Sequence, residues 1–210
     1  MRTVRIDNAL SHLEPFLVVA SVETGSASFS EILQDASRRA KRYPSYDPSR
    51  RAVETYRSSM SALGRNPNRY RHSSDALFRR LEKGEDIPSI LPAVDLNNVI
   101  SLHTGWPVGC YDARLIRGDV LLRTGHSWEK VETLGKGVFE VEHLPVLTDE
   151  AGVFGSPVSD SRRTAIADDT GCVEIYLYGF GADDIQRCLE EVDAILTKCG
   201  VAVETASAVS

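Results

Sequence analysis

VDLNNVISLHTGWPVGCYD, residues Val94–Asp112, is where the chain changes its grammar. Before Pro107 the apolar residues recur mostly at helical spacing. After it they fall into short runs separated by Gly, Asp and Ser, which predict strands. Within the stretch, Asp95–His103 predicts a short helix with Leu96, Val99 and Ile100 turned inward and Gly105 as its terminator. A strand also fits so short an apolar run, and periodicity alone leaves both open.

Toward the N-terminus the helical pattern continues. Ser73 or Ser74 is placed to cap a helix over Asp75–Lys83 that stops at Gly84, with Ala76, Leu77, Phe78 and Leu81 as its apolar positions. Asn66-Pro67-Asn68 is a turn signal. Asp47-Pro48 reads as an N-cap followed by proline in the first turn, opening a helix to about Met60 with Val53, Tyr56 and Met60 inside. Ser28 and Glu31 have capping-box spacing ahead of Phe29, Ile32, Leu33, Ala36 and Ala40. Phe16–Val22 is apolar enough to be a buried strand.

Toward the C-terminus, strands are predicted at Val120–Arg123, Trp128–Glu132, Val138–Glu142, Pro145–Thr148, Val153–Phe154, Arg163–Ala167 and Cys172–Tyr178. Asp149-Glu150-Ala151-Gly152 has the composition of a hairpin connection. Asp183–Lys198 carries Ile185, Cys188, Leu189, Val192, Ile195 and Leu196 at helical spacing, and the small polar residues after Gly200 predict a frayed tail. Helices first, then strands, then a closing helix, with no regular strand–helix alternation, indicate an α/β protein of α+β character: a single domain over residues 1–200 with layered sheets.

Charge is divided along the chain. Residues 38–83 hold thirteen Lys or Arg against four Asp or Glu, a local +9 in a protein of net −6. Such an island predicts a surface that meets a polyanion, with Arg38, Arg39, Arg65, Arg69, Arg79 and Arg80 as nucleic-acid contacts. Part of the island crowds a helix C-terminus, where positive charge complements the macrodipole without any ligand. The longest apolar run, Phe16–Ala20, is too short to span a bilayer, and the N-terminus has no signal-peptide core, so a cytoplasmic protein without a membrane partner is expected. Four widely spaced cysteines and five scattered histidines predict neither a disulfide framework nor a metal site. Dinucleotide, P-loop, zincin and nucleophile-elbow signatures are absent, and no cofactor is expected.

Three polar runs stand out. In Gly64–Arg80, Asn66, Tyr70, Arg71 and Ser74 are candidates to hold a ligand; arginines there suit phosphate or carboxylate, although turn geometry and capping explain the same residues. In Val94–Asp112, Asn98 is placed to orient a ligand, and Trp106, Gly109 and Cys110 to wall a cavity, with core packing as the alternative for Trp106. Asp112 is placed beside a turn, where it can bond backbone N–H groups. In Gly155–Thr170, Ser159, Asp160 and Thr164 offer hydroxyls and a carboxylate between strands.

Together these runs are similar to the B3/B4 domain, the module of the beta subunit of bacterial phenylalanyl-tRNA synthetase. The stretches that carry the resemblance are Asn66–Pro88, Val94–Asp112, IRGDVLLR (Ile116–Arg123) and GSPVSDSRRTAIADDT (Gly155–Thr170), covering roughly residues 50–180. Residues 1–50 match only looser, free-standing relatives and are expected to pack on the domain as an extension. The resemblance implies a layered β-sandwich of unusual topology backed by helices. It also implies a pocket for an aminoacyl-adenosine end, in which mischarged tRNA is hydrolysed by positioned water with no serine triad. Two positions depart from the synthetase pattern. Its Pro-Leu-His-Ala-Phe-Asp run reads Pro107-Val108-Gly109-Cys110-Tyr111-Asp112 here, with Gly109 in place of the histidine. Asp160 falls near its editing glutamate, one methylene shorter, and is the catalytic candidate.

The expected partner is thus tRNA, through its aminoacylated 3′ end, with or without ester hydrolysis. A non-catalytic RNA-binding module, and a site for an amino-acid-like small molecule without nucleic acid, remain open as alternatives. Oligomeric state is not legible.

Overall fold

The computed structural model describes residues 2–23, 28–42 and 48–210. A short strand β1 (Val4–Ile6) and a 3-10 turn over Asn8–Leu13 lead into β2 (Pro15–Glu23). Four helices follow: α1 (Ser30–Arg42), α2 (Pro48–Ala62), α3 (Ser73–Glu82) and α4 (Pro92–Thr104). Then come β3 (Val108–Asp112), β4 (Val120–Thr124), β5 (Lys130–Thr133), β6 (Gly137–Glu140), β7 (Pro145–Asp149), β8 (Gly152–Gly155) and β9 (Cys172–Phe180). The described chain ends with α5 (Ile185–Cys199) and β10 (Ala202–Val209).

The strands form two sheets and a ribbon. One sheet has the order β10-β2-β9-β3 and is antiparallel throughout; the other, β1-β4-β7-β8, pairs β1 parallel to β4 and is otherwise antiparallel; β5 and β6 form the ribbon. Alternation along β2 explains the stacking. Phe16, Val18, Ala20 and Val22 join the core shared with the helices, while Leu17 and Val19 join a second core with Val120, Leu122, Leu147 and Phe154 of the other sheet. The β10-β2-β9-β3 sheet is therefore the middle of three layers. Burial on both faces is why Phe16–Val22 reads as a continuous apolar run.

The helix ends show which local signals won. The Val94–Asp112 ambiguity resolves to helix: Pro92 opens α4, and Gly105 closes it at φ +78°, its N–H donating to the Ser101 carbonyl. Asp95 ties the preceding loop to this helix, accepting from the Ile90 N–H (3.0 Å) and the Ser89 hydroxyl. At α3 the cap is neither expected serine. His72 precedes the helix, and its Nδ1 accepts from the Asp75 N–H at 3.3 Å. Ser28 bonds the Ser30 hydroxyl (3.2 Å), and the Phe29 carbonyl takes the first bond of α1, so the expected capping box is not formed. The Asp47 cap lies outside the described residues.

Two further expectations are corrected. Arg163–Ala167 is no strand: Ser161 caps a 3-10 turn over Arg162–Thr164, and Arg163 is held by Asp149 at 2.8 Å. The tail after Gly200 is not frayed backbone, because β10 pairs antiparallel with β2 from Ala202–Glu23 to Val209–Leu17.

His72 gives a direct test of the local architecture. Its ring is buried 4.2 Å from that of Tyr56, and burial pushes its pKa down to about 3, so it is neutral near pH 7. His72→Ala removes both a cap and a packed ring. It is expected to lower stability by about 2 kcal/mol in urea unfolding, and His72→Asn, which keeps a cap acceptor, by less.

Candidate functional site

Ser73 is where the three polar runs meet. Its backbone N–H donates to the Pro157 carbonyl at 3.2 Å, and its hydroxyl accepts from the Val108 N–H at 3.4 Å. The 64–73 loop, β3 and the 155–160 loop are thereby joined at one point. The β5–β6 ribbon closes against the same region. The Leu134 N–H bonds the Asp160 carbonyl, the Lys136 ammonium reaches the Val158 carbonyl at 3.2 Å, and Phe139 lies edge-on to Tyr70.

Inside this junction lies a phenol–carboxyl cluster. Along β3, Gly109 and Tyr111 share a face, and the Tyr111 side chain leans back over Gly109. Its hydroxyl donates to Asp160 Oδ1 at 2.6 Å and lies 2.8 Å from the Tyr178 hydroxyl. Tyr178 comes from β9, next to β3 in the middle sheet. A Cβ placed on Gly109 would lie 2.1 Å from the Tyr111 hydroxyl oxygen, and one on Gly155 also 2.1 Å. Both glycines thus make room for one hydroxyl group. The Tyr111 hydroxyl thus occupies the room a side chain at 109 would need.

Burial dominates the electrostatics of the cluster. Among the described residues, no cation bonds or pairs with Asp160, and burial raises its pKa to about 7, against the opposing effect of the Tyr111 bond. Burial and the nearby Asp160 carboxyl push both Tyr111 and Tyr178 well above the ordinary phenol range. The Cys110 thiol, on the opposite face of β3, is raised first by burial and then by Asp160, so it is not a thiolate nucleophile near pH 7. Asp112, at the end of β3, is set the other way. Arg114 and Thr170 bond its carboxyl, and Arg114 holds its pKa below the usual range. Two carboxyls on one strand junction thus have opposite characters, and Asp160 is the one that can exchange a proton near neutrality.

The other candidates distribute unevenly. Ser159 is half-buried in a turn organised by the Ser156 hydroxyl, which accepts from the Val158 and Ser159 N–H groups. Asn66 sets its own turn, accepting from the Asn68 N–H at 2.9 Å. Tyr70 is buried, with the Arg65 guanidinium 4.9 Å and the Arg69 guanidinium 5.5 Å from its ring centre. Arg71 is exposed, and Asn98 is half-buried on α4. Three candidates are given internal partners in place of the expected pocket positions. The Ser74 hydroxyl donates to the Gly105 carbonyl (2.6 Å), the Trp106 indole donates to Asp184 (2.8 Å) in the helix–sheet core, and Thr164 is fully buried with its hydroxyl toward the Phe154 carbonyl. Sequence reasoning gave no role to His72 or Tyr178. The signal available for Tyr178 was strand alternation, which sets it on the same sheet face as Tyr111.

Structure also tempers the basic island. Arg38 pairs with Asp35, Lys41 with Asp86, Arg50 with Glu82, Arg79 with Asp75 and Arg80 with Glu85. Arg57 lies between Asn68 and Asp75, and Arg39 bonds the His103 ring at 2.8 Å. Much of the +9 is therefore answered locally by acids, several of them just outside the segment. Among the described residues, Arg69 and Arg71 make no ion pair, and Arg65 is committed to the Glu142 carbonyl. The 65–71 loop, beside the ribbon, thus keeps exposed positive charge, as do Arg51 on α2 and Lys83 after α3.

Helices laid over a middle sheet, with a second sheet beneath and a ribbon at the phenol–carboxyl junction, define a three-layered mixed α/β fold. The chain belongs to the B3/4 domain family, whose family model matches residues 55–194. It is similar to the phenylalanine–tRNA ligase beta subunit of Streptomyces avermitilis, with 36% identity over 98 residues, 45% of this chain and 12% of that protein. It is also similar to that of Neisseria gonorrhoeae, with 29% identity over 150 residues, 64% of this chain and 19% of that protein. The fold resembles that of an N-terminal fragment of the phenylalanyl-tRNA synthetase beta subunit from Pyrococcus horikoshii: TM-score 0.56 and 16% identity, over 98% of this chain and 53% of that one. The chain spans only about a tenth to a fifth of the length of the curated relatives it matches. No helix among the described residues is long and apolar enough to cross a membrane.

Proposed function

We propose that the chain binds the aminoacylated 3′ end of a tRNA, with phosphates against the 65–71 loop and the aminoacyl group directed to the junction of β3 with the 155–160 loop. The observation that carries this reading is the pair of hydrogen bonds from Ser73 to the Pro157 carbonyl and from the Val108 N–H to the Ser73 hydroxyl, which holds the cationic loop and the phenol–carboxyl cluster at one place. Similarity to beta subunits of phenylalanine–tRNA ligases supports tRNA as the class of partner. Exposed arginines without ion pairs suit phosphate. Binding of aminoacyl-tRNA, followed against salt concentration, tests it. Arg69→Ala and Arg71→Ala should each weaken binding and reduce the salt slope by roughly one. No binding at low salt would reject the reading.

A second reading, ester hydrolysis, is favoured by the character of Asp160. A carboxyl that titrates at about 7 is matched to general-base work near neutral pH. In this step the carboxylate takes a proton from water as the water oxygen bonds to the ester carbonyl carbon. The ester C–O bond then breaks, and the proton is returned to the departing 3′ oxygen of the ribose. Tyr111 orients the carboxylate through the 2.6 Å bond to Oδ1, leaving Oδ2 for water.

A further inference from the structure

The β5–β6 ribbon begins with a feature the proposed site does not use. Trp128 is 74% exposed, and its ring stacks on that of His126, centroids 4.6 Å apart and planes 10° from parallel. Tryptophan of this size is ordinarily buried, and an exposed ring on a rigid turn is poised for contact. The turn is held firmly. Glu129 accepts from the His126 N–H at 2.7 Å and pairs through both oxygens with Arg123, at 2.8 and 2.6 Å. His126 covers one side of the indole, and the solvent-exposed remainder of Trp128 is therefore a preorganised flat apolar surface.

This platform lies beside the cationic loop. Gly125 bridges to Glu142, and the His143 N–H bonds the Gly125 carbonyl, so the Trp128 turn flanks residues 142–143. Arg65 of the cationic loop bonds the Glu142 carbonyl. Acids are present too: Glu142 lies toward His143, and Glu140 is paired with Lys130. A stacking surface next to arginines without ion pairs combines the two elements that bind unpaired nucleotides: a ring for the base and positive charge for the phosphate.

We infer that the His126–Trp128 stack is a docking platform for an unpaired nucleobase, engaged while the adjoining backbone runs along Arg69 and Arg71. The inference rests on the reading that tRNA is the partner, and it assigns the single-stranded end a contact outside the phenol–carboxyl junction. Base stacking of this kind tolerates any base and adds on the order of tenfold to affinity.

The chain has two tryptophans, and Trp106 is buried, so quenching of indole emission by added RNA reports Trp128. The probes are a short single-stranded RNA ending in CCA, a blunt RNA duplex, and aminoacylated tRNA. The single strand should quench emission and the duplex should not. Trp128→Ala should abolish quenching and weaken binding about tenfold, with Trp128→Phe restoring most of the affinity. If Trp128→Ala binds tRNA as well as the parent, the platform is refuted while the tRNA reading stands. If the single strand quenches Trp128 but aminoacyl-tRNA does not bind, the tRNA reading falls and the platform stands. Concentration-dependent self-association lost in Trp128→Ala, without any RNA-dependent quenching, would overturn the inference in favour of a protein contact.

Discussion

Gly109→His, which restores the histidine of the synthetase-type motif, is expected to destabilise the protein by about 3 kcal/mol or more, a large loss for one surface-free substitution. The new Cβ alone would lie 2.1 Å from the Tyr111 hydroxyl oxygen and 2.6 Å from Tyr111 Cζ, so the Tyr111 ring, packed against Phe154 and Tyr176, has to shift. The effect should depend on Tyr111. Tyr111→Phe by itself removes the donor to Asp160 and the partner of Tyr178, at a cost of about 1–3 kcal/mol. In the double variant the ring can withdraw without breaking those bonds, so the combined loss should fall short of the sum by at least 1 kcal/mol. Urea unfolding of the four proteins measures this coupling. Strict additivity would show that the two positions do not compete for one space.

Asp160→Asn carries the other large effect, and it separates two properties. If the chain hydrolyses aminoacyl esters, deacylation in the parent should rise with pH and level off above about 7, where the carboxyl is ionised. The Asn variant should be slower by roughly 10²–10⁴-fold and lack that dependence. A variant that deacylates at the parent rate excludes Asp160 as the base. Stability should respond in the opposite sense. The folded-state pKa is raised from 3.8 to about 7, so the native state binds the extra proton between those values. The proton-linked stabilisation is fully present below about pH 3.8 and is lost as pH rises through 7. Asn, neutral and able to accept from Tyr111, escapes this loss. The variant should gain on the order of 2 kcal/mol over the parent at pH 8, discounted for partial exposure of the residue, less than half of that at pH 5, and little below about pH 3.8.

Much of the architecture was legible where local and long-range preferences agree. The α5 stripe, the inner face of α2 and the β7–β8 hairpin are written in periodicity and turn chemistry that packing does not oppose. Val4–Ile6 was not legible. Three residues have no period, and β1 exists because Val120–Leu122 offers it a parallel edge. The strand β3 was hidden by Pro107 and Gly109, which punctuate like a loop, although Gly109 serves as a space for Tyr111 and marks no turn. Arg163–Ala167 misled in the other direction, since its alternation is that of a strand while Asp149 binds Arg163 in a turn.

The candidate site was legible as three runs of polar residues and no further. Which of them face one another depends on Ser73, whose two bonds reach residues 35 and 84 positions away along the chain. The basic island failed for a related reason. A one-dimensional charge count cannot see that Asp35, Glu85 and Asp86 fold back onto it. Among the described residues, the part of the island next to the ribbon keeps two arginines without ion pairs, Arg69 and Arg71.

The pairing of β10 along β2 determines what the middle sheet presents to its surroundings. β2, the most continuously apolar strand, has β9 on one side and β10 on the other, so its amide groups face no open margin. The borders of the sheet are instead β10, whose sequence AVETASAV has a single carboxylate and no aromatic ring, and β3. An extended chain that meets this sheet from the side would therefore meet β10 or β3, and never the most apolar strand.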